Sequence, residues 1–83
     1  MSASEDIKKQ VNSVIIENLV LSKDTELKPE TRIVDDLGAD ELDEIELCMG
    51  LEEEFGMAIP EEDMQNFKTV QGIYDYIDKR LNS

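Results

Sequence analysis

Asp40-Glu41-Leu42-Asp43-Glu44-Ile45-Glu46-Leu47-Cys48-Met49-Gly50-Leu51-Glu52-Glu53-Glu54-Phe55-Gly56 holds most of what the chain says about its fold. Asp40 can cap a helix by accepting hydrogen bonds from the free N–H groups of its first turn. Leu47, Leu51 and Phe55 then recur at helical spacing with Cys48 beside them, which makes one apolar face, and Gly56 supplies the stop. Leu42, Ile45 and Met49 fall on a second arc. A helix packed on one side has no need of that second strip.

The flanking segments extend the same pattern. Ser2-Ala3-Ser4-Glu5 has the form of a capping box, with Ser4 or Ser2 as the cap. Ile7, Val11, Val14 and Ile15 follow at i, i+4, i+7 and i+8, and Leu19 to Leu21 close that helix or open the next loop. Ser22 to Arg32 shows no period and reads as a long loop. Ile33 and Val34 are apolar within the irregular stretch and are expected to enter the core. Ile59-Pro60 leads into a short helix carrying Met64 and Phe67, where Pro60 suits the first turn. Thr69 can cap a last helix whose Val70, Ile73, Ile77 and Leu81 form its apolar stripe. Lys79 and Arg80 sit in its last turn, where cations oppose the helix dipole favourably. These elements predict an all-α fold: a small bundle of three to four helices in one domain over 1–83, with a long loop between the first and second and no sheet. The expected core is Ile33, Val34, Leu47, Cys48, Leu51, Phe55, Ile59, Met64, Phe67, Ile73 and Ile77.

Composition narrows the function classes. The 83 residues contain no Trp and no His, and four aromatic residues in all, so the core is expected to be mostly aliphatic. Without His the commonest general base and the commonest metal ligand are both absent. Cys48 is the only cysteine, which excludes an internal disulfide. Met1 to Asp6 lacks the basic and apolar regions of a signal peptide, and no apolar run reaches membrane-spanning length. A cytoplasmic protein without membrane insertion is the expectation. The net charge of -13 has a location: from Ile33 to Phe67 there are thirteen carboxylates and no Lys or Arg, whereas elsewhere eight acids face eight bases. Such a block repels nucleic acid and favours encounter with basic protein surfaces. Apolar residues recur inside it at helical spacing, which argues against a disordered acidic tail.

Three chemical readings of the acids and the thiol fail on their residues. With Asp35 at the first position of a calcium-binding EF-hand loop, Glu46 falls at the twelfth, as required. Yet Leu37 and Ala39 occupy ligand positions and Asp40 the glycine position, so no specific metal site is expected. Carboxylates spread over the outside of a small helical domain make poor general acids at neutral pH, which argues against an enzyme. Cys48 lies beside the apolar face among acids that disfavour a thiolate, so it reads as a buried, inert thiol.

The run Asp36-Leu37-Gly38-Ala39-Asp40-Glu41-Leu42-Asp43 resembles the prosthetic-group motif of acyl carrier proteins, Asp-Leu-Gly-Ala-Asp-Ser-Leu-Asp. The resemblance continues through Ile45 to Gly56, Ile59-Pro60-Glu61-Glu62, Thr69-Val70-Gln71 and Tyr76-Ile77, about three-quarters of the chain and without a gap from Ile33 to Leu81. It implies a helical bundle that shuttles acyl thioesters among fatty-acid, polyketide or lipid-assembly enzymes. In that family the motif serine carries 4'-phosphopantetheine; here the position is Glu41, whose carboxylate offers no hydroxyl for the phosphodiester. No cofactor is therefore expected on the chain as it stands. Glu41 is compatible with a natural relative that has lost carriage, with an engineered replacement, or with relocation of the function. Ser2, Ser4, Ser13, Ser22 and Ser83 all lie away from the motif.

The resemblance also makes the second helix the docking element for basic surfaces of acyl-transferring or acyl-modifying enzymes. The implied contact residues are Asp40, Leu42, Asp43, Glu44, Ile45, Glu46, Met49, Glu52 and Glu53. The competing reading packs Leu42, Ile45 and Met49 against the long loop. A fatty-acyl chain held without a covalent bond among the helices is the contrasting function, and the protein is expected to be a monomer. Crowded carboxylates repel one another, and the folded state concentrates them. Added salt or millimolar calcium should accordingly raise the melting temperature, by screening and by weak binding to the native surface. A thermal melt indifferent to both would show that the acids are too dispersed to matter.

Overall fold

The protein is described by a computed structural model over residues 4–82. Its elements are α1 (Glu5–Asn18), α2 (Glu41–Phe55), a 3-10 helix (Glu61–Asn66) and α3 (Val70–Asn82). The all-α bundle with a long connection between its first two helices is therefore the observed fold. The one extended contact among the described residues is an isolated bridge between Arg32 and Thr69.

Each helix begins and ends for a local reason. Ser4 accepts from the Ile7 N–H at 3.2 Å and starts α1; the alternative cap Ser2, and with it the Ser2–Glu5 box, lies outside the described residues. At the far end the Leu21 N–H donates to the Ile16 carbonyl at 2.9 Å, which closes the helix around Val20 at φ 53°. That left-handed conformation is costly for a β-branched residue. Asp40 caps α2 by accepting from the Asp43 N–H at 2.8 Å, and Asp43 returns the contact to the Asp40 N–H at 3.1 Å. Two free donors are satisfied reciprocally. Gly56 ends α2 at φ 61°, where a Cβ would be penalised. Thr69 Oγ1 accepts from the Gly72 N–H at 3.1 Å and opens α3. The short helix around Met64 is 3-10, with Pro60 as the residue before its first turn.

The core joins Ile7, Val11, Val14 and Ile15 of α1 to Leu47, Cys48 and Leu51 of α2 and to Val70, Ile73, Tyr74 and Ile77 of α3. Ile33, Ala39, Ile59 and Phe67 enter from the connecting segments, and no polar or charged residue is buried among the described residues. Phe55 and Met64 pack at its margin, half-buried. Two expectations are corrected. Val34 is 46% exposed: Ile33 takes the inward place beside the Arg32–Thr69 bridge, and Val34 starts the turn in which the Gly38 N–H donates to its carbonyl at 3.0 Å. Leu81 is exposed because the last turn of α3 runs past the core, to which Ile77 is this helix's final contribution.

Tyr74 was no part of the expected stripe, yet it is buried one turn beyond Val70. Its hydroxyl donates to Asn12 Oδ1 at 2.5 Å, tying α3 to α1. Burial pushes the phenol's pKa up, so it stays a donor. The loop is tied to α3 by the Ile33 N–H on the Lys68 carbonyl and the Val70 N–H on the Thr31 carbonyl, each at 2.9 Å.

Truncating the inner face of α2 should be costly. Leu47→Ala or Leu51→Ala should each lose about 2–5 kcal/mol in denaturant unfolding. Ile45→Ala and Val34→Ala, on the surface, should stay within about 0.5 kcal/mol.

Candidate functional site

Two devices set the start of α2 in place. One is the reciprocal Asp40–Asp43 cap. The other lies just upstream, where Asp36 accepts from the Arg32 backbone N–H at 2.8 Å, from Nε at 3.3 Å and from Nη2 at 3.1 Å. The hydrogen bond from the Arg32 side chain, with the backbone bond second, holds the Asp36 carboxyl below its usual pKa. Its contribution to stability is therefore present above the ordinary carboxylate range and is lost as pH falls through the lowered value. Arg32 Nη1 also lies 3.5 Å from Asp35, and these are the only ion pairs among the described residues. None of the acids of α2 has a basic partner there.

Glu41 is the first residue of α2 and is exposed. A carboxylate at that place is favoured by the helix dipole, by about 0.3–1 kcal/mol. Along the same helix Leu42 is 62%, Ile45 43% and Met49 54% exposed. The long loop does not cover them, so the second apolar arc faces water. Asp40, Asp43, Glu44, Glu46 and Glu53 are exposed or half-buried around it.

Glu52 departs from its expected place among the free acids. Its Oε2 accepts from the Ile59 N–H at 2.8 Å, and the residue is half-buried. It fastens the segment after α2 back onto the helix. Spacing gave no signal for this, because the partner is a backbone group seven residues away. Cys48 is buried; desolvation first, then the nearby Glu52 charge, push its thiol above the usual value. A recess of ≈ 490 Å³ lies beside it, bordered by Glu41, Glu44, Ile45, Met49, Ile59, Glu61 and Met64. Its floor is apolar and its rim acidic. Among the described residues no group of three His, Cys, Asp or Glu could hold a metal ion, and no helix is long and apolar enough to cross a membrane.

Residues 13–77 match the family model for the phosphopantetheine attachment site. The chain belongs to the acyl carrier protein family. It is 47% identical over 74 residues to an acyl carrier protein of Chlorobium phaeobacteroides, covering 89% of this chain and 94% of that one. The identity is again 47% over 75 residues with an acyl carrier protein of Chlorobium phaeovibrioides, covering 90% and 95%. The solution structure of a candidate acyl carrier protein from Anaplasma phagocytophilum superposes with a TM-score of 0.85 at 36% identity, over all of this chain and 96% of the other. A candidate acyl carrier protein from Mycobacterium tuberculosis gives 0.75 at 33% identity, over 90% and 96%. Acyl carrier proteins are carriers, not enzymes, and the family serves fatty-acid and lipid biosynthesis with acyl-transferring enzymes as partners.

Removing the Glu52 fastening should cost more than removing a free acid. Glu52→Ala should lose about 1–2 kcal/mol in denaturant unfolding, since the Ile59 N–H is left without an acceptor. Glu52→Gln should keep most of it, and Glu46→Ala should stay within about 0.5 kcal/mol.

Proposed function

We propose that this chain works by docking onto basic surfaces of acyl-transferring or acyl-modifying enzymes through α2, without a covalent pantetheine arm. The observation that carries the proposal is the exposed strip Leu42, Ile45 and Met49, set among carboxylates that have no basic partner among the described residues. In such a surface the apolar residues anchor and the charges steer. Asp40, Asp43, Glu44, Glu46 and Glu53 supply the charge, and Glu52 contributes chiefly by shaping the helix end. The protein docks as a monomer, in the cytoplasm, and competes with or scaffolds the partners of a true carrier.

The arm does not fit the residues at its place. Glu41 heads α2 where a hydroxyl would be needed, whereas Ser4 caps α1, Ser13 lies on it and Ser22 in the loop after it. A phosphodiester there would bring about one negative charge. Glu41 brings the same charge without the arm. A second reading, non-covalent binding of a fatty-acyl chain, is supported by the ≈ 490 Å³ recess floored by Ile45, Cys48, Met49, Ile59 and Met64.

Intact mass after incubation with coenzyme A and a phosphopantetheinyl transferase should be unchanged for the protein and raised by the arm for Glu41→Ser. An adduct on the unaltered chain, at any serine, would overturn the reading. In surface-plasmon measurements against a basic acyl-transferring enzyme, Ile45→Ala or Met49→Ala should weaken binding by more than about 1 kcal/mol. Glu46→Lys should slow association several-fold, roughly, with the loss shrinking as salt rises. Tight fatty-acid binding, with no effect of these changes on any partner, would put the second reading first.

A further inference from the structure

Ile59 and Phe67 are both buried, and no residue between them is. Pro60 to Asn66 therefore lies over the core as a strap fixed at its two ends. Its 3-10 helix turns only Asp63 and Met64 partly inward. Short 3-10 helices have poor hydrogen-bond geometry and little stability of their own. The strap must be held by something other than burial.

Polar contacts from α3 hold it. The Tyr76 hydroxyl donates to Asp63 Oδ2 at 2.7 Å. Arg80 Nη1 donates to that same hydroxyl oxygen at 2.6 Å, and Nη2 to the Ala58 carbonyl at 2.9 Å. The Tyr76 ring meets Phe67 edge-on, with centroids 5.1 Å apart. At the strap's end α3 comes so close that a Cβ at Gly72 would overlap the Asn66 carbonyl oxygen. A recess of ≈ 510 Å³, bordered by Asp63, Tyr76 and Arg80 among others, runs alongside these groups and gives water access to them.

The other side of the strap walls the recess that Cys48, Ile45 and Met49 floor. Glu61 on the strap shares its rim with Glu41 and Glu44 of α2, and no base is among the lining residues. Like charges across the opening push the strap outward, against the polar contacts that pull it in.

We propose that residues 60–66 are a hinged flap over the α2 recess, latched to α3 by the Tyr76–Asp63 hydrogen bond with Arg80 as its brace, and turning at Ile59 and Phe67. Opening breaks partly solvated polar contacts and lifts only half-buried Met64 from the core margin, moving no fully buried side chain, so it occurs as a local event below global unfolding. The flap sets how readily the recess and its thiol are reached from water.

Cys48, the only cysteine, makes the test direct. The rate of alkylation of the native protein by iodoacetamide, at one mildly alkaline pH, reads the fraction of time the recess is open. Tyr76→Phe should raise that rate by about tenfold, the factor expected from losing one hydrogen bond to a charged group. Asp63→Ala removes the same bond from the strap side and serves where the α3 change disturbs the helix. Gly72→Ala removes no latch group but presses the Asn66 end of the strap outward, and should accelerate labelling as well. Lys79→Gln, on the same side of α3, should change nothing. Amide exchange should rise with labelling at Asp63 and Phe67, whose N–H groups donate to Pro60 and Met64, and stay constant at Ile15 and Ile73. Unchanged labelling in both Tyr76→Phe and Asp63→Ala overturns the flap. So does acceleration matched at Ile15 and Ile73, which would mean that the whole bundle opens. Either failure leaves the docking surface untouched, since Leu42 and Met49 are exposed with the strap closed.

Discussion

Everything outward on this molecule depends on the seating of Leu47, Cys48 and Leu51 against the aliphatic side chains of α1, α3 and Ile33. No charged group is buried among the described residues, so the core imposes one orientation on α2 and offers no polar contact that could compete with it. A rotation that brought Ile45 and Met49 inward would carry Glu52 and Glu53, which flank them on the helix, toward an interior with nothing to pair them. Burying an unpaired carboxylate costs far more than a methylene gains. The acidic, apolar-studded outer face is thus the obligatory complement of an ordinary inner one. Its exposure needs no special device, and the surface stays available at no conformational cost.

The second consequence of a core without buried charge is that polar groups act as fasteners at its margins. Glu52 secures the chain behind α2, Asp40 and Asp43 secure its start, Arg32 gathers the loop onto Asp36, and Tyr74 joins α3 to Asn12. Each works where water still reaches or nearly reaches. Individually such contacts contribute modestly, yet they decide which connecting segments stay close. The helices are set by burial and the connections by hydrogen bonds. A fold divided in this way can loosen a connection without disturbing a helix.

Helix identity was legible because caps and apolar period act within a few residues. Asp40 and Gly56 bound α2 where expected, Thr69 opens α3, and the exposed second arc of α2 was visible as excess apolar residues. Family membership was legible too, since the resemblance spans most of the chain. What was not legible depends on geometry across the fold. Val34 and Leu81 are apolar at plausible positions, but the turn at Gly38 and the reach of the core decide against them. Tyr74 could have been found as the i+4 partner of Val70; its hydroxyl hid an inward place that Asn12 makes acceptable. Glu52 looked like one acid among many, and only the path of the backbone to Ile59 separates it from Glu46. The 3-10 character around Met64 likewise follows from how little of that segment is buried.

The aromatic composition gives the bundle an optical property. With no Trp, its near-ultraviolet absorbance and intrinsic fluorescence come chiefly from two tyrosines, and both stand on α3. Tyr74 is enclosed by the core and bonded to a helix at the other end of the chain; Tyr76 faces the strap and shares its hydroxyl with Asp63 and Arg80. The two chromophores are neighbours in sequence and occupy different surroundings. One is sensitive to the integrity of the bundle and the other to the state of a single surface segment, so the molecule carries separate internal reporters for its global and local motions.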